Sequence, residues 1–263
     1  MADTESDQSG VMPPGLVERV FSSAGGDVIL VGGQALKFWM DRFGVCQTSL
    51  MAAVTRDVDF FSPSPADTDS VKRFAQAIRG KYVISKDHRS ALVGMAYVEL
   101  DDHSVANVDV LHRVIGIESD RLQQRAVEIE DENGHQMRVM HPLDVLVSRN
   151  INLHVLQEKQ TQAGHEQLKL AIEVVRCFLD WRADCTPSAS ARELLDMFRP
   201  VMQLSRGSAA KKNAGHHKIH VADAYPAYRV PTDSLFWERQ WPYLRKAMSK
   251  EYADSCEDRR ALL

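Results

Sequence analysis

The spacing of apolar side chains changes once along this chain, and that change limits the folds open to it. Before Pro142 the apolar residues come in short runs broken by glycine, proline and acidic turns, as strands and short helices require. From Pro142 onward, Leu143, Leu146, Val147, Ile151 and Val155, then Leu168, Ala171, Ile172, Val175, Phe178 and Leu179, recur at three- and four-residue intervals. Those intervals mark two amphipathic helices, and Pro142 suits the first helical turn, where its missing N–H is harmless. A third helix is expected over 191–204. The sequence therefore predicts a mixed α/β half over residues 16–140, a helical half over 141–263 and a polar tail over 1–15 that ends in Pro13-Pro14-Gly15.

Within the first half, 27–31 (DVILV) reads as a buried strand stopped by Gly32-Gly33, and 34–43 as a helix ended by Gly44. Residues 54–61 (VTRDVDFF) read as a second strand, 62–67 as a turn and the residues up to about 79 as a helix. Two further strands, 91–100 and 106–112, flank a hairpin turn at 101–104. Another pair is expected at 126–130 and 136–140, joined by the turn-like 131–134. In the second half, 206–220 (RGSAAKKNAGHHKIH) is small, basic and almost without apolar residues, so it reads as a loop or a disordered stretch. Residues 225–248 are rich in aromatics and arginine and end in a helix from Ser234.

Composition narrows the class less sharply. Hydrophobic residues make up 44% and charged residues 26% of the 263, which fits a folded chain. A net charge of -4 provides no global basic field, so a polyanion would have to meet a local patch. Cys46, Cys177, Cys185 and Cys256 have neither zinc nor redox spacing and read as reduced, structural thiols. The start MADTESDQSG is acidic and polar, and no stretch approaches the roughly 20 apolar residues that span a bilayer. A cytoplasmic protein with no membrane partner is the expectation.

Three pieces carry chemistry. Gly32-Gly33 ends a strand and opens a helix, where bare N–H groups and the helix dipole can receive a phosphate. Asp57 and Asp59 lie two apart in a strand and so project from one face, while Val58 and Phe60 point to the core. In Asn107-Val108-Asp109-Val110-Leu111 the alternation repeats and sets Asp109 on the polar face of an adjacent strand. Carboxylates about 4 Å apart repel by roughly 1 kcal/mol in water and about 4 kcal/mol at an effective dielectric of 20, so three converging acids call for a cation. Magnesium favours carboxylates together with substrate phosphates, and two such ions can activate a hydroxyl and stabilise a leaving pyrophosphate.

Each piece has a structural alternative. The glycines can be a tight turn, and the acids solvated strand charges. Glu99 and Asp101 compete with Asp109 for third place, although Asn107 and Asp109 alternate better. Arg56 faces away from the acids in a regular strand and Arg149 can be a solvated helix residue. His216, His217 and His220 sit in the basic stretch. The aromatic set Tyr225, Tyr228, Phe236, Trp237, Trp241 and Tyr243 reads as packing.

The order of V-G-G at 31–33, T-R-D-V-D-F at 55–60 and V-D-V at 108–110 resembles the nucleotidyltransferase superfamily that includes DNA polymerase β. The segment 141–153 (HPLDVLVSRNINL) is similar to the helix that opens the helical half of AbiEii-type toxins. The resemblance implies an α/β (α+β) nucleotidyltransferase core with a mixed sheet, followed by a helical C-terminal domain. It implies Asp57, Asp59 and Asp109 as catalytic residues and ligands of Mg2+ (or Mn2+), and Gly32, Gly33, Gln34, Arg56 and Arg149 as contacts to a nucleoside triphosphate such as ATP. The nucleoside monophosphate would pass to an acceptor hydroxyl on RNA, a protein or a small molecule, and a toxin-type member would have an antitoxin protein as partner. A longer interval between the glycines and Asp57 than in minimal members implies an insertion at 44–53. A catalytically silent binding protein and a magnesium-dependent phosphodiesterase or nuclease are the competing classes.

Overall fold

The computed structural model describes residues 12–45, 57–87, 89–101, 103–130 and 134–262. These residues fall into two compact units, one of residues 12–37 and 57–141, the other of residues 38–45 and 142–262. The insertion read at 44–53, and the start of the strand read at 54–61, lie almost wholly outside the described residues.

The first unit is built on a mixed sheet. Helix α1 (Pro14–Ala24) starts with proline in its first turn and buries Leu16, Val20 and Ala24. Of the tail read at 1–15 only 12–15 are described, and these belong to the fold: Met12 is buried, and the helix begins at Pro14 because the ring's fixed φ is that of a first helical turn. Strand β1 (Ile29–Val31) is wholly buried and runs straight into α2 (Gly32–Phe43). Then come β2 (Val58–Phe61), α3 (Thr68–Ala77), β3 (Lys81–Ile84), β4 (Leu92–Glu99), β5 (Val105–Leu111), α4 (Ser119–Arg125), β6 (Val127–Glu130) and β7 (Gln136–Val139).

The seven strands lie in the order β3-β4-β5-β2-β1-β7-β6. β2 and β5 run parallel, as do β1 and β7; the other neighbours are antiparallel. One face of the sheet carries Leu30, Val58, Phe60, Val108 and Val110, all buried. Helix α3 packs beside β3, β4 and β5, and its Phe74 ring stacks on Phe60 with centroids 4.5 Å apart. Both rings are fully buried, and burial of each contributes about 1.5–3 kcal/mol. This covered face forces the alternate residues of β2 and β5 to the other side. Strand β3 and helix α4 were not foreseen: β3 is a sheet edge whose Lys81, Tyr82 and Val83 are all exposed, so no burial pattern marks it. Helix α4 buries only Leu122.

The second unit is helical. Helices α5 (Pro142–Val155) and α6 (Gln162–Asp184) pack together through the apolar repeats of the sequence. Helix α7 (Ala191–Ser205) opens with a capping box, Ser190 Oγ accepting from the Glu193 N–H while the Glu193 carboxylate accepts from the Ser190 N–H. Residues 206–220 correct the loop reading, because Ser208–His217 form helix α8. Its alanines and lysines favour a helix, and buried Asn213 ties it to α5 by donating to the Asn150 backbone O and Oδ1, each at 2.9 Å. The helix read from Ser234 is two short ones, α9 (Phe236–Arg239) and α10 (Trp241–Arg245), split ahead of Pro242, which sits in the first turn of α10. Phe198, Tyr225 and Phe236 make an aromatic core, and α11 (Lys250–Ala261), capped by Ser249, ends the chain. Cys177, Cys185 and Cys256 are free thiols. Among the described residues no helix is long and apolar enough to cross a membrane.

Candidate active site

The sheet register fixes the arrangement of the acids. Asp59 stands opposite Val31 on one side and opposite Asp109 on the other, so β1, β2 and β5 meet at one level. Since Val58, Phe60, Val108 and Val110 are buried on the covered face, Asp59 and Asp109 share the opposite one, where both are half-buried. Asp57 precedes Asp59 by two residues, and its charge is felt at Asp109.

The Asp109 carboxyl is held above the usual carboxylate range. Burial is the main cause and the neighbouring Asp57 charge adds to it; the Asn107 side-chain amide, which donates to Asp109 Oδ1 at 3.1 Å, partly offsets both. Asn107 therefore positions the Asp109 carboxylate, a role the alternation of β5 hinted at through its polar face. Glu99, the rival third acid, pairs with Val105, four residues along β5 from Asp109 and so about 13 Å away at strand rise. Asp101 is exposed in the turn beyond it.

Gly32 joins this level at the end of β1. Its φ of +66° is left-handed, and a Cβ there would lie 1.9 Å from Asp59 Oδ2 and 2.8 Å from Asp59 Cγ. Only glycine lets the backbone approach the carboxylate this closely while turning from strand to helix. Gly33 is buried and Gln34 half-buried in the first turn of α2, which holds no acidic residue of its own. The positive end of α2 thus opens next to Asp59, a geometry that can receive phosphate oxygens beside carboxylates.

Two candidates remain, Arg56 and Arg149. Arg56 is outside the described residues. Arg149 sits in α5 of the second unit, 7% exposed, and its Nη1 donates to Gln167 Oε1 at 3.0 Å. It is a buried, bonded side chain, which rules out the solvated-helix alternative. Among the described residues no three His, Cys, Asp or Glu side chains close into a metal cage. The donor set at Asp57, Asp59 and Asp109 nonetheless suits magnesium, which takes few protein carboxylates and completes its shell with water and substrate phosphate.

No family model matches the chain, and no curated protein matches it in sequence. Among solved structures, the Megavirus polyadenylate synthase is similar over 69% of this chain, with 11% identity and a TM-score of 0.39. The match takes in 38% of the synthase, so this chain spans well under half of that protein's length.

Proposed function

We propose that the protein is a metal-dependent nucleotidyltransferase that moves a nucleoside monophosphate from a triphosphate to an acceptor hydroxyl. The observation that carries this reading is the level shared by Gly32, Asp59 and Asp109, with the N-terminus of α2 beside it and Asp57 two residues before Asp59. In this proposal the amides at Gly32 and Gly33 bind triphosphate oxygens, Gln34 borders them, and Asp57, Asp59 and Asp109 hold magnesium. The bound cations supply neutralisation of the triphosphate and of the leaving pyrophosphate. Asp109, steadied by Asn107, orients the acceptor oxygen towards the α-phosphorus. The acceptor hydroxyl gives up its proton to solvent as the new O–P bond forms and the bond from the α-phosphorus to its bridging oxygen breaks, with pyrophosphate leaving. Most of the rate gain would come from positioning and from charges already in place.

The finer assignment, a toxin-type member with an antitoxin partner, rests on the likeness of 141–153 to the AbiEii helix. Incubation with magnesium, each labelled triphosphate, and total cell RNA and protein tests the reading. Label transfer with pyrophosphate release is expected, and Asp59→Asn should lower it about a thousandfold, the several kcal/mol that metal-held charge neutralisation supplies. Transfer that survives the substitution removes the site. Triphosphate binding without pyrophosphate release identifies a silent member, and shortening of nucleic acid without triphosphate a nuclease. Growth arrest on expression, relieved by the same substitution, would mark the toxin type.

A further inference from the structure

The second unit contains a pocket of about 360 Å³ formed by the end of α7, the start of α8 and the stretch around α10. Its charged lining is basic throughout: Arg206, Lys211 and Lys246, with His220 held to the Ala247 carbonyl through Nδ1 at 3.1 Å. Among the described residues none of Arg206, Lys211 and Lys246 is in an ion pair, whereas Arg245, adjacent in sequence, is bridged to Asp254 and Glu257 at 2.9 Å each. Three cations kept together without carboxylates repel one another, so the arrangement gains most from an anion supplied from outside.

Two further features specify that anion. Helix α8 opens at Gly207 with no side-chain cap and no acidic residue in its first turn, and Ala210 of that turn lines the pocket. A first turn with no side-chain cap, at the positive end of the helix, suits phosphate. Tyr243, also in the lining, is 71% exposed, the most exposed aromatic side chain among the described residues. A flat ring left in water beside cations offers a stacking surface for a base.

We propose that this pocket binds single-stranded nucleic acid, the cations and the α8 N-terminus taking the phosphate backbone and Tyr243 stacking on a base. Phosphate alone would leave the ring unused. An acidic peptide would satisfy the charges but not match a planar face. The pocket belongs to the second unit and the acids of the sheet to the first, and binding there needs neither triphosphate nor magnesium.

Fluorescence anisotropy of the full chain with labelled 12-nucleotide single strands of RNA and of DNA, in EDTA and from 50 to 200 mM KCl, tests it. Binding of either strand that weakens with salt is expected, and a preference between the two identifies the natural ligand. Lys211→Glu with Lys246→Glu should weaken binding at least tenfold at 50 mM salt and reduce the salt slope by roughly 1 to 2. Tyr243→Ala should weaken it about tenfold with the slope kept, and Tyr243→Phe should restore it. Lys81→Glu with Lys86→Glu, the same charge change on exposed residues of the first unit, should stay within about twofold of the parent. No binding at 50 mM salt, an equal loss in that control pair, or equally effective competition by polyglutamate overturns the proposal. Because EDTA and the absence of triphosphate silence transfer, this result and the transferase assay fail independently.

Discussion

Two pairs of carboxylates in this molecule face the same electrostatic problem and meet it differently. Asp180 and Asp184 lie one turn apart on α6, and the Arg229 guanidinium spans them, its Nε donating to Asp180 and its Nη1 to Asp184 at 2.7 Å each. Tyr228 adds a hydrogen bond to Asp180 at 2.5 Å. Asp59 and Asp109 lie on adjacent strands in register, and there the groups that shape the Asp109 carboxyl are an amide, burial and the like charge of Asp57. Where the fold supplies a cation to an acid pair, the pair serves to tie elements together. Where burial and a neighbouring like charge raise a carboxyl's proton affinity, as at Asp109, keeping it ionised costs stability and points to a ligand from outside.

The largest effect that could break this comparison comes from Gly32→Ala. The new Cβ falls 1.9 Å from Asp59 Oδ2 on a backbone with φ +66°. The left-handed conformation costs about 1–2 kcal/mol for a residue with a Cβ. Moving the carboxylate by an ångström should lower transfer roughly a hundredfold. Gly44→Ala is the matched control, because Gly44 has φ +62° and nothing within 4 Å of its added Cβ. It should show a similar loss of stability by thermal unfolding and almost no loss of transfer. Equal transfer losses in both would mean that Gly32 serves only the turn.

How much of this was legible follows from the range of the interactions. The alternation in β2 and β5 assigned Asp57, Asp59 and Asp109 to polar faces, since the pleat is a local property. That β2 lies beside β5, with Asp59 opposite Asp109, depends on a parallel pairing across the intervening α3, β3 and β4, and no local pattern encodes it. Edge strand β3 was missed because it buries nothing, and α1 because a Pro-Pro-Gly start reads as a turn. The basic stretch 206–220 failed as a loop for the same reason as the β2–β5 register: its helix depends on a contact between Asn213 and Asn150, 63 residues apart. With it went the pocket, whose cations look like solvated charges until α8 stands beside α10.

That contact supports the next prediction. Asn213 is 1% exposed and donates twice to Asn150, itself 1% exposed. Asn213→Ala leaves the buried Asn150 Oδ1 without this donor, whereas the Asn150 carbonyl keeps its helical bond, and one unsatisfied buried group costs about 1–3 kcal/mol. A loss of that size in urea unfolding is expected, together with faster amide exchange across 208–217. Because the pocket is built on α8, the variant should also bind single strands less tightly. An unchanged stability would mean that α8 holds by its own helix propensity, and the loop reading then failed for a local reason.

The smallest effect is the most pointed, because its sign separates the two kinds of acid pair. Asp109→Asn removes a half-buried charge from beside Asp57 and leaves an oxygen that can still accept from Asn107. If the acids of the sheet are held together against their own repulsion, the variant should be more stable in EDTA by about 1 kcal/mol, the scale of two like charges near 4 Å in high dielectric. For a chain this long that is a rise of about 2–4 °C in Tm. Magnesium with a triphosphate should then raise the Tm of the parent chain more than that of the variant, since a ligand stabilises only the form that binds it. Asp180→Asn, which strips Arg229 and Tyr228 of a charged partner, should instead lower Tm in both buffers. A stability loss for Asp109→Asn comparable to that of Asp180→Asn would place both pairs in the same structural role, and the case for a ligand at the sheet would lose its energetic basis.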